Sequence, residues 1–265
     1  MELEVAGAPV HAATGGVALD PARPLIVFVH GAGMDHTVWA LQARYFAHNG
    51  YGVLAVDLPG HGRSAGEALD SIEALGRWLW RLVDAAGPEH ARLVGHSMGA
   101  LAALEAAAAA PARARGLVLI GANAAMPVND ELLSAAREEP ARAAALIVSW
   151  AYGERSHMGG MRAPGLWMLG GGLSLLARAR AGVLHADFAA CNSYRGGLAA
   201  AARVSCPTLV LAGRGDRMTP ARGAAKLAEA IPGARLAVIE DAGHMPMIEQ
   251  PDRTLDALRA QFAAP

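Results

Sequence analysis

The five residues Gly95-His96-Ser97-Met98-Gly99 are the pattern in this chain that most directly indicates chemistry. The pattern follows the apolar pair Leu93-Val94 and precedes an alanine-rich stretch, so it predicts a strand, a sharp turn and a helix. In that setting the serine stands on a strained turn, and glycines on either side avoid clashes between the ends of the turn. A serine needs a general base to become a nucleophile. We therefore expect a nucleophilic Ser97 at a helix N-terminus, where negative charge is favoured.

Other segments with polar residues and glycines also follow predicted strands. They are His30-Gly31-Ala32-Gly33 after Leu25–Val29, Asp57 to Ser64 after Val53–Val56, Gly213-Arg214-Gly215-Asp216 after Thr208–Ala212, and Gly243-His244 after Leu236–Ile239. Open parallel sheets build their sites at the C-terminal ends of the strands, so we expect these segments to lie together. Strands alternating with helices predict a mostly parallel sheet covered on both faces. Residues 3–5 and 10–13 are predicted as short antiparallel edge strands.

The alternation of strands and helices stops between Gly121 and Val204. Helical pieces are predicted over 130–150, 173–180 and 182–194, with Gly159-Gly160 and Gly170-Gly171-Gly172 as separators. Periodicity by itself indicates only helices at a place where a βα unit would be expected.

Together these segments resemble the α/β-hydrolase superfamily from about Leu25 to the C-terminus, including its chain order of Ser, Asp and His. The resemblance implies an α/β-hydrolase fold, a mostly parallel sheet flanked by helices, with a helical cap inserted after the sixth strand. It implies a core domain of residues 1–121 and 205–265 and a cap, or lid, of residues 122–204. The alternative for this insertion is extra packing without a role in binding.

The resemblance also implies a catalytic triad of Ser97, Asp216 and His244. His244 would take the serine proton, and Asp216 would hold the imidazole tautomer and stabilise the imidazolium. The neighbouring carboxylates of Glu240 and Asp241 are rivals to Asp216. Both are too close to His244 in sequence to reach the far nitrogen of its ring easily. Some members of the superfamily carry the acid after the sixth strand, where this chain offers no carboxylate. His30, His61 and His96 are expected to be structural loop residues.

Two backbone N–H groups are expected to form the oxyanion hole, those of Met98 and Ala32. Gly33 is the rival for the second donor. Residues expected to bind substrate are Met34, Met98, Trp150, Trp167 and Met245. Methionine suits irregular apolar pockets, although ordinary core packing is the alternative for any single one. Arg155, Arg162 and Arg195 in the predicted cap could pair with one carboxylate.

Composition excludes several classes of protein. The chain has 265 residues, 53% of them hydrophobic and 18% charged, and its net charge is −1, so we expect no nucleic-acid partner. We expect no membrane helix, and the acidic N-terminus lacks the pattern of a signal peptide, which predicts a cytoplasmic protein. Two cysteines suggest no disulfide framework. Motifs for a metal or a cofactor are not found, so we expect neither, and a homo-oligomer stays open.

The predicted function is that of a serine hydrolase that cleaves carboxylic esters of small to medium, mostly apolar acids through an acyl-enzyme. The expected partner is therefore a small-molecule ester or a related acyl substrate. The alternative is the same triad acting on a lactone, a thioester or the C–C bond of a ring-fission diketone. Ala32 and Met34-Asp35 depart from the richer glycine loop of the ring-cleavage enzymes. A third hypothesis is a ligand receptor with slow turnover.

Overall fold

A single sheet of eight strands forms the centre of the computed structural model, which describes residues 1–159 and 167–263. The strands are β1 Glu2–Val5, β2 Ala8–Ala13, β3 Leu25–Val29, β4 Gly52–Val56, β5 Ala91–His96, β6 Ala114–Ile120, β7 Thr208–Gly213 and β8 Arg235–Ile239. They lie in the order β1-β2-β4-β3-β5-β6-β7-β8. Strand β2 is antiparallel to both of its neighbours, and the six strands β3 to β8 pair in parallel. The predicted mostly parallel sheet with an antiparallel edge is present.

The central strands are buried along their whole length, as β3, β4 and β7 show. Strands of this kind are apolar at every position because helices cover both faces of the sheet. The flanking helices are α1 Ala40–His48, α2 Ile72–Ala86, α3 Met98–Ala109, α10 Ala221–Ala230, α11 Pro246–Glu249 and α12 Pro251–Phe262. Since the parallel strands point the same way, the segments after β3, β5, β7 and β8 meet at one edge.

Two helical segments of the core begin in different ways. The segment after β3 begins as a 3-10 helix, His36–Trp39, whose first turn is capped by the Asp35 side chain accepting from the Thr37 N–H. Ser71 lies at the start of α2 with extended backbone, but its side chain makes no capping hydrogen bond. In this helix the buried apolar face contributes more to the fold than the cap.

Helices α4 to α9 lie between β6 and β7. They are α4 Asp130–Glu138, α5 Pro140–Ala151, α6 Glu154–His157, α7 Met168–Ala177, α8 Val183–Ser193 and α9 Gly197–Ala201. The single helix predicted over 130–150 is wrong, because the chain breaks at Glu139, whose φ of −136° and ψ of 65° are not helical. The next residue, Pro140, disfavours a helical conformation at the residue before it and starts α5.

The three glycines predicted to separate helices lie instead inside α7. Gly172 faces a tyrosine, and a Cβ there would come within 2.9 Å of the Tyr152 hydroxyl. A Cβ at Gly170 would collide with the ring of Trp167. The glycines therefore permit close side-chain packing against this helix. Gly160, the second glycine of the other predicted separator, lies outside the described residues.

Candidate active site

Ser97 stands at the turn between β5 and α3 in a backbone conformation that non-glycine residues rarely adopt, with φ 53° and ψ −119°. A Cβ at Gly95 would overlap the carbonyl of Gly99, and a Cβ at Gly99 would overlap the Val29 and His30 carbonyls. Both flanking glycines are therefore required by close backbone approach. The Ser97 N–H donates to the Ile120 carbonyl at 2.9 Å, which fixes the turn to β6.

Asp216 and His244 lie side by side, although 28 positions separate them in the chain. His244 Nδ1 is 2.8 Å from Asp216 Oδ2, and both side chains are buried. The other carboxylate oxygen accepts the backbone N–H groups of Met218 and Thr219, and the Thr219 hydroxyl donates to Oδ2 at 2.7 Å. Burial by itself would raise the pKa of Asp216, but His244 and the Thr219 donors outweigh it and lower the pKa. Asp216 is thus an ionised carboxylate facing an imidazole.

The two rival carboxylates point to other partners. Asp241 forms an exposed ion pair with Arg155 at 3.2 Å, and Glu240 forms one with Arg214 at 2.9 Å. The geometry therefore brings Asp216, and neither rival, to the His244 ring.

A residue that the sequence analysis missed, Glu249, holds the backbone on both sides of His244. Its Oε1 accepts from the N–H groups of Gly243 at 2.8 Å and Met245 at 3.2 Å. Its Oε2 accepts from the Gly153 N–H and the Ser156 hydroxyl, both at 2.8 Å. Glu249 is buried in the short helix α11. No spacing in the sequence marked it, because its partners are mostly backbone groups.

His96 also supports the loop that carries His244. Its Nε2 donates to the His244 carbonyl at 2.9 Å, and its buried Nδ1 has no partner among the described residues. Burial and the nearby His244 lower the pKa of His96 to about 3, so this imidazole is neutral. His30 is held by backbone groups alone, through Gly31 and Leu58. Both histidines bind backbone groups, as predicted, but His96 is the last residue of β5 and not a loop residue.

Two backbone N–H groups near Ser97 are unpaired within the described chain, those of Met98 and Ala32. The Met98 N–H lies in the first turn of α3. The loop carrying Ala32 passes close to the serine, since a Cβ at Gly31 would be 3.2 Å from Ser97 Cβ. The rival donor, the Gly33 N–H, is occupied by Asp187 Oδ2 at 2.8 Å. Ser97 Oγ itself makes no hydrogen bond to the described residues, and catalytic contacts are often loose without substrate.

A cavity of about 170 Å³ opens beside Ser97 and His244. Its other lining residues are Ala32, Met126, Pro127, Val128, Asn129, Leu132, Trp150, Phe188, Cys191, Arg217, Met218 and Thr219. Most of them are apolar, and many come from the segment between β6 and β7. The cysteine among them is buried, and burial raises its pKa, so this thiol stays protonated.

Of the five residues predicted to bind substrate, Trp150 lines this cavity. Met34, Met98 and Met245 are buried but do not line the cavity, and their side chains belong to the hydrophobic core. Trp167 is 70% exposed and lies outside the cavity wall. The substrate-binding role of these four residues stays a prediction.

Charged side chains near the cavity also differ from those predicted. Arg155 pairs with Asp241, and Arg195 donates to the carbonyls of Asn192 and Tyr194. Arg162 lies outside the described residues. Arg217, which the sequence analysis did not single out, lines the cavity and has no ion-pair partner among the described residues.

One group of side chains among the described residues has the composition of a metal site, namely His11, His36 and Asp57. Asp57 already accepts from His36 Nδ1 at 2.8 Å and from the N–H groups of His36 and Arg63. Burial would raise the pKa of Asp57, but His36 and the backbone donors lower it to about 2. The hydrogen bonds of Asp57 therefore hold the start of the 57–64 loop in place. Within the described part of the chain, no helix is long and apolar enough to cross a bilayer.

Comparison with known proteins agrees with this geometry. The family model described as alpha/beta hydrolase fold matches residues 24–251. The chain is 30% identical to a pimeloyl-[acyl-carrier protein] methyl ester esterase of Aromatoleum aromaticum, over 87% of this chain and 94% of that protein.

Solved structures show the same similarity in three dimensions. A thermophilic esterase matches with a TM-score of 0.80 at 25% identity, covering 99% of this chain and 96% of the other. An enol-lactonase from Burkholderia xenovorans LB400 shares the fold, with a TM-score of 0.88 at 23% identity over 99% and 100% of the two chains. With a strand–turn–helix serine, a carboxylate–histidine pair and a family match over most of its length, the chain belongs to the α/β-hydrolase family and is an esterase-like hydrolase.

Proposed function

We propose that the protein hydrolyses carboxylic esters of small to medium, mostly apolar acids through an acyl-enzyme on Ser97. The observation that carries the proposal is the buried 2.8 Å contact of His244 Nδ1 with Asp216, beside a cavity that both Ser97 and His244 line. With Nδ1 donating to the carboxylate, Nε2 of the same ring is left free to accept a proton.

The proposed reaction begins when Ser97 Oγ attacks the ester carbonyl carbon and its proton passes to His244 Nε2. The N–H groups of Met98 and Ala32 stabilise the oxyanion, and Asp216 stabilises the imidazolium. Collapse breaks the bond to the alcohol oxygen, which takes the proton from His244. A water that gives a proton to His244 then attacks the acyl carbon. The bond from this carbon to Ser97 Oγ breaks, Oγ takes the proton from His244, and the acid leaves. No step in this scheme needs a cofactor.

We further propose that residues 122–204 act as a cap that shapes the acyl site. Support comes from Met126, Leu132, Trp150 and Phe188, which bring apolar side chains from this segment to the cavity beside Ser97. The cavity of about 170 Å³ is smaller than the roughly 300–1,000 Å³ typical of pockets for drug-sized ligands. This size favours short acyl chains.

A second candidate is a lactone or half-ester that carries its own carboxylate. Arg217 at the cavity wall favours it, because a guanidinium pairs well with a carboxylate and no described side chain neutralises this one. The two candidates share the same triad and differ in whether a negative charge on the substrate improves binding.

A substrate panel tests the proposal. It would contain p-nitrophenyl esters of rising chain length, matched half-esters ending in a carboxylate, lactones, thioesters and a ring-fission diketone. We expect turnover of short esters, together with labelling of Ser97 by an organophosphonate. The Ser97→Ala variant should fold normally but lose the label, leaving a residual rate of roughly 10³-fold over water. Labelling that persists in this variant would assign the nucleophile elsewhere. Slow turnover with ligand-dependent cap mobility would favour a receptor.

A further inference from the structure

A buried carboxylate outside the proposed triad joins helix α8 to two loops of the core. Asp187 Oδ2 accepts from the Gly33 N–H and faces His61 Nε2, both at 2.8 Å. The Asp187 and His61 side chains are each 2% exposed. Gly33 lies in the loop after β3, and His61 in the loop after β4. One carboxylate thus ties together three separate parts of the chain.

The His61 ring in this contact carries a positive charge. Its Nδ1 is 2.9 Å from the Pro59 carbonyl, which can only accept, and its Nε2 faces a carboxylate, so both nitrogens are donors. Burial would lower the pKa of His61, but Asp187 outweighs burial and raises it. The other ionisable groups around His61 are Asp57, which is ionised, and His30, whose ring is 4.8 Å away. Burial and the His61 charge lower the pKa of His30 to about 4, so it is neutral.

The ion pair acts on the loop that would receive the oxyanion. Gly33 has a φ of +66°, and its N–H points to Asp187. Its neighbour Ala32 keeps an N–H without an acceptor in the described chain and lines the cavity with Ser97. Removing the carboxylate would leave the Gly33 N–H and the His61 imidazole without their buried acceptor, and the loop could then turn towards other acceptors.

We infer that Asp187 is a positioning residue, whose contacts with Gly33 and His61 hold the Ala32 N–H at the oxyanion site when helix α8 is docked. The inference rests on the proposed function of Ser97 and Ala32. It makes the segment between β6 and β7 a structural part of the catalytic machinery, in addition to a wall of the cavity. The reacting atoms themselves are not touched by Asp187.

Two variants test the inference in the full-length protein. Asp187→Asn retains the size of the side chain and one carbonyl acceptor but loses the charge, and His61→Gln removes the other partner of the pair. For each we expect kcat on a short p-nitrophenyl ester to fall by roughly 10²-fold, as small misplacements of catalytic groups do, with little change in KM. The rate of organophosphonate labelling at Ser97 should fall in parallel. The double variant should be no worse than either single one, because the pair acts as a unit.

Arg178→Gln is the matched control. Arg178 follows α7 and reaches the core through a partly buried contact with Asp35 at 3.2 Å, without touching Gly33. We expect near-normal kcat for this variant. An equal fall in the control, or kcat and labelling rates of Asp187→Asn and His61→Gln within about twofold of wild type, would overturn the inference. Absence of labelling in the wild type would instead defeat the proposed function.

A measurement on the wild-type enzyme does not depend on whether the variants fold. Both His61 nitrogens face acceptors, and Asp187 raises the pKa of the ring, so its charge is lost at a higher pH than that of a free imidazole. We expect the labelling rate to decline on this alkaline side while unfolding transitions still report a folded protein. A labelling rate that stays level until the protein unfolds at high pH would contradict the inference.

Discussion

The carboxylate of Asp216 accepts hydrogen bonds from His244, from the Thr219 hydroxyl and from two backbone N–H groups. An Asp216→Asn variant keeps the shape but can present an amide donor to the imidazole and so favour the wrong tautomer. We expect kcat to fall by roughly 10⁴-fold with near-normal substrate binding. Steady-state kinetics on a short ester measure both quantities. Asp241→Asn, which removes an exposed carboxylate, is the control. An equal loss of kcat in that variant would identify Asp241 as the acid of the triad.

Single side chains at the cavity and in the core should respond differently to truncation. Met98 is fully buried, so Met98→Ala should lower the free energy of unfolding by about 2–5 kcal/mol and leave the preferred acyl length unchanged. Leu132 lines the cavity, so Leu132→Ala should shift the preference towards longer acyl chains. Urea unfolding and an ester series measure the two effects. A shift in acyl preference with Met98→Ala would show that the Met98 side chain contacts the acyl group.

At the scale of elements, the loop after β8 depends on a helix that follows it. In Glu249→Gln, one carboxylate oxygen that accepts two donors becomes an amide N–H₂ facing them. We expect a loss of about 1–3 kcal/mol in the free energy of unfolding and a fall in kcat of at least tenfold, because the His244 backbone loses its support. Chemical unfolding and ester kinetics test this. Glu240→Gln is the matched control, since that exposed carboxylate forms an ion pair with Arg214 and does not contact the His244 backbone in the described chain.

Helix boundaries between β6 and β7 show where local patterns stop being informative. Pro140 at the start of α5 was visible in the sequence, yet the continuous alanine-rich periodicity around it suggested one helix. The sequence predicts the glycines at 170–172 as separators, but Tyr152 packs against Gly172 and Trp167 against Gly170, which makes the absence of a side chain useful within a helix. Tertiary contacts outweighed local propensity at the glycines, whereas the break at Glu139 follows from the local effect of Pro140.

At the scale of the whole molecule, two buried neutral histidines make stability sensitive to acid. The pKa of His30 is about 4 and that of His96 about 3, against an ordinary value of 6.5, with burial as the main cause. Below pH 6.5 the unfolded chain takes up protons that the folded protein does not bind. The free energy of unfolding should therefore fall as pH falls from about 6.5 towards these values.

Replacing one of these histidines should reduce that loss. His96→Gln can retain a donor to the His244 carbonyl and removes the titrating group. Between pH 7 and pH 5 the variant should lose about 2 kcal/mol less than the wild type, since one pKa unit corresponds to about 1.4 kcal/mol. Urea unfolding at the two pH values measures the difference, with His48→Gln on the exposed surface as control. Identical losses in wild type and His96→Gln would mean that His96 does not carry the effect.

The sequence by itself determined the sheet, its order of strands and helices, and the turn that carries Ser97. These follow from short-range patterns, namely apolar runs, turn glycines and polar residues at strand ends. The positions of Asp216 and His244 were predictable for the same reason, because parallel strands bring their C-terminal ends to one edge.

The tertiary structure decided which side chains face the cavity and what supports the site. The direction of a side chain on a turn depends on backbone angles that spacing does not reveal, so the sequence did not show that Met34, Met98 and Met245 lie outside the wall of the cavity beside Ser97. Asp187 and Glu249 carry no motif, because each recognises backbone N–H groups across long sequence separations. Contacts of this kind form only once the helices between β6 and β7 lie against the core loops.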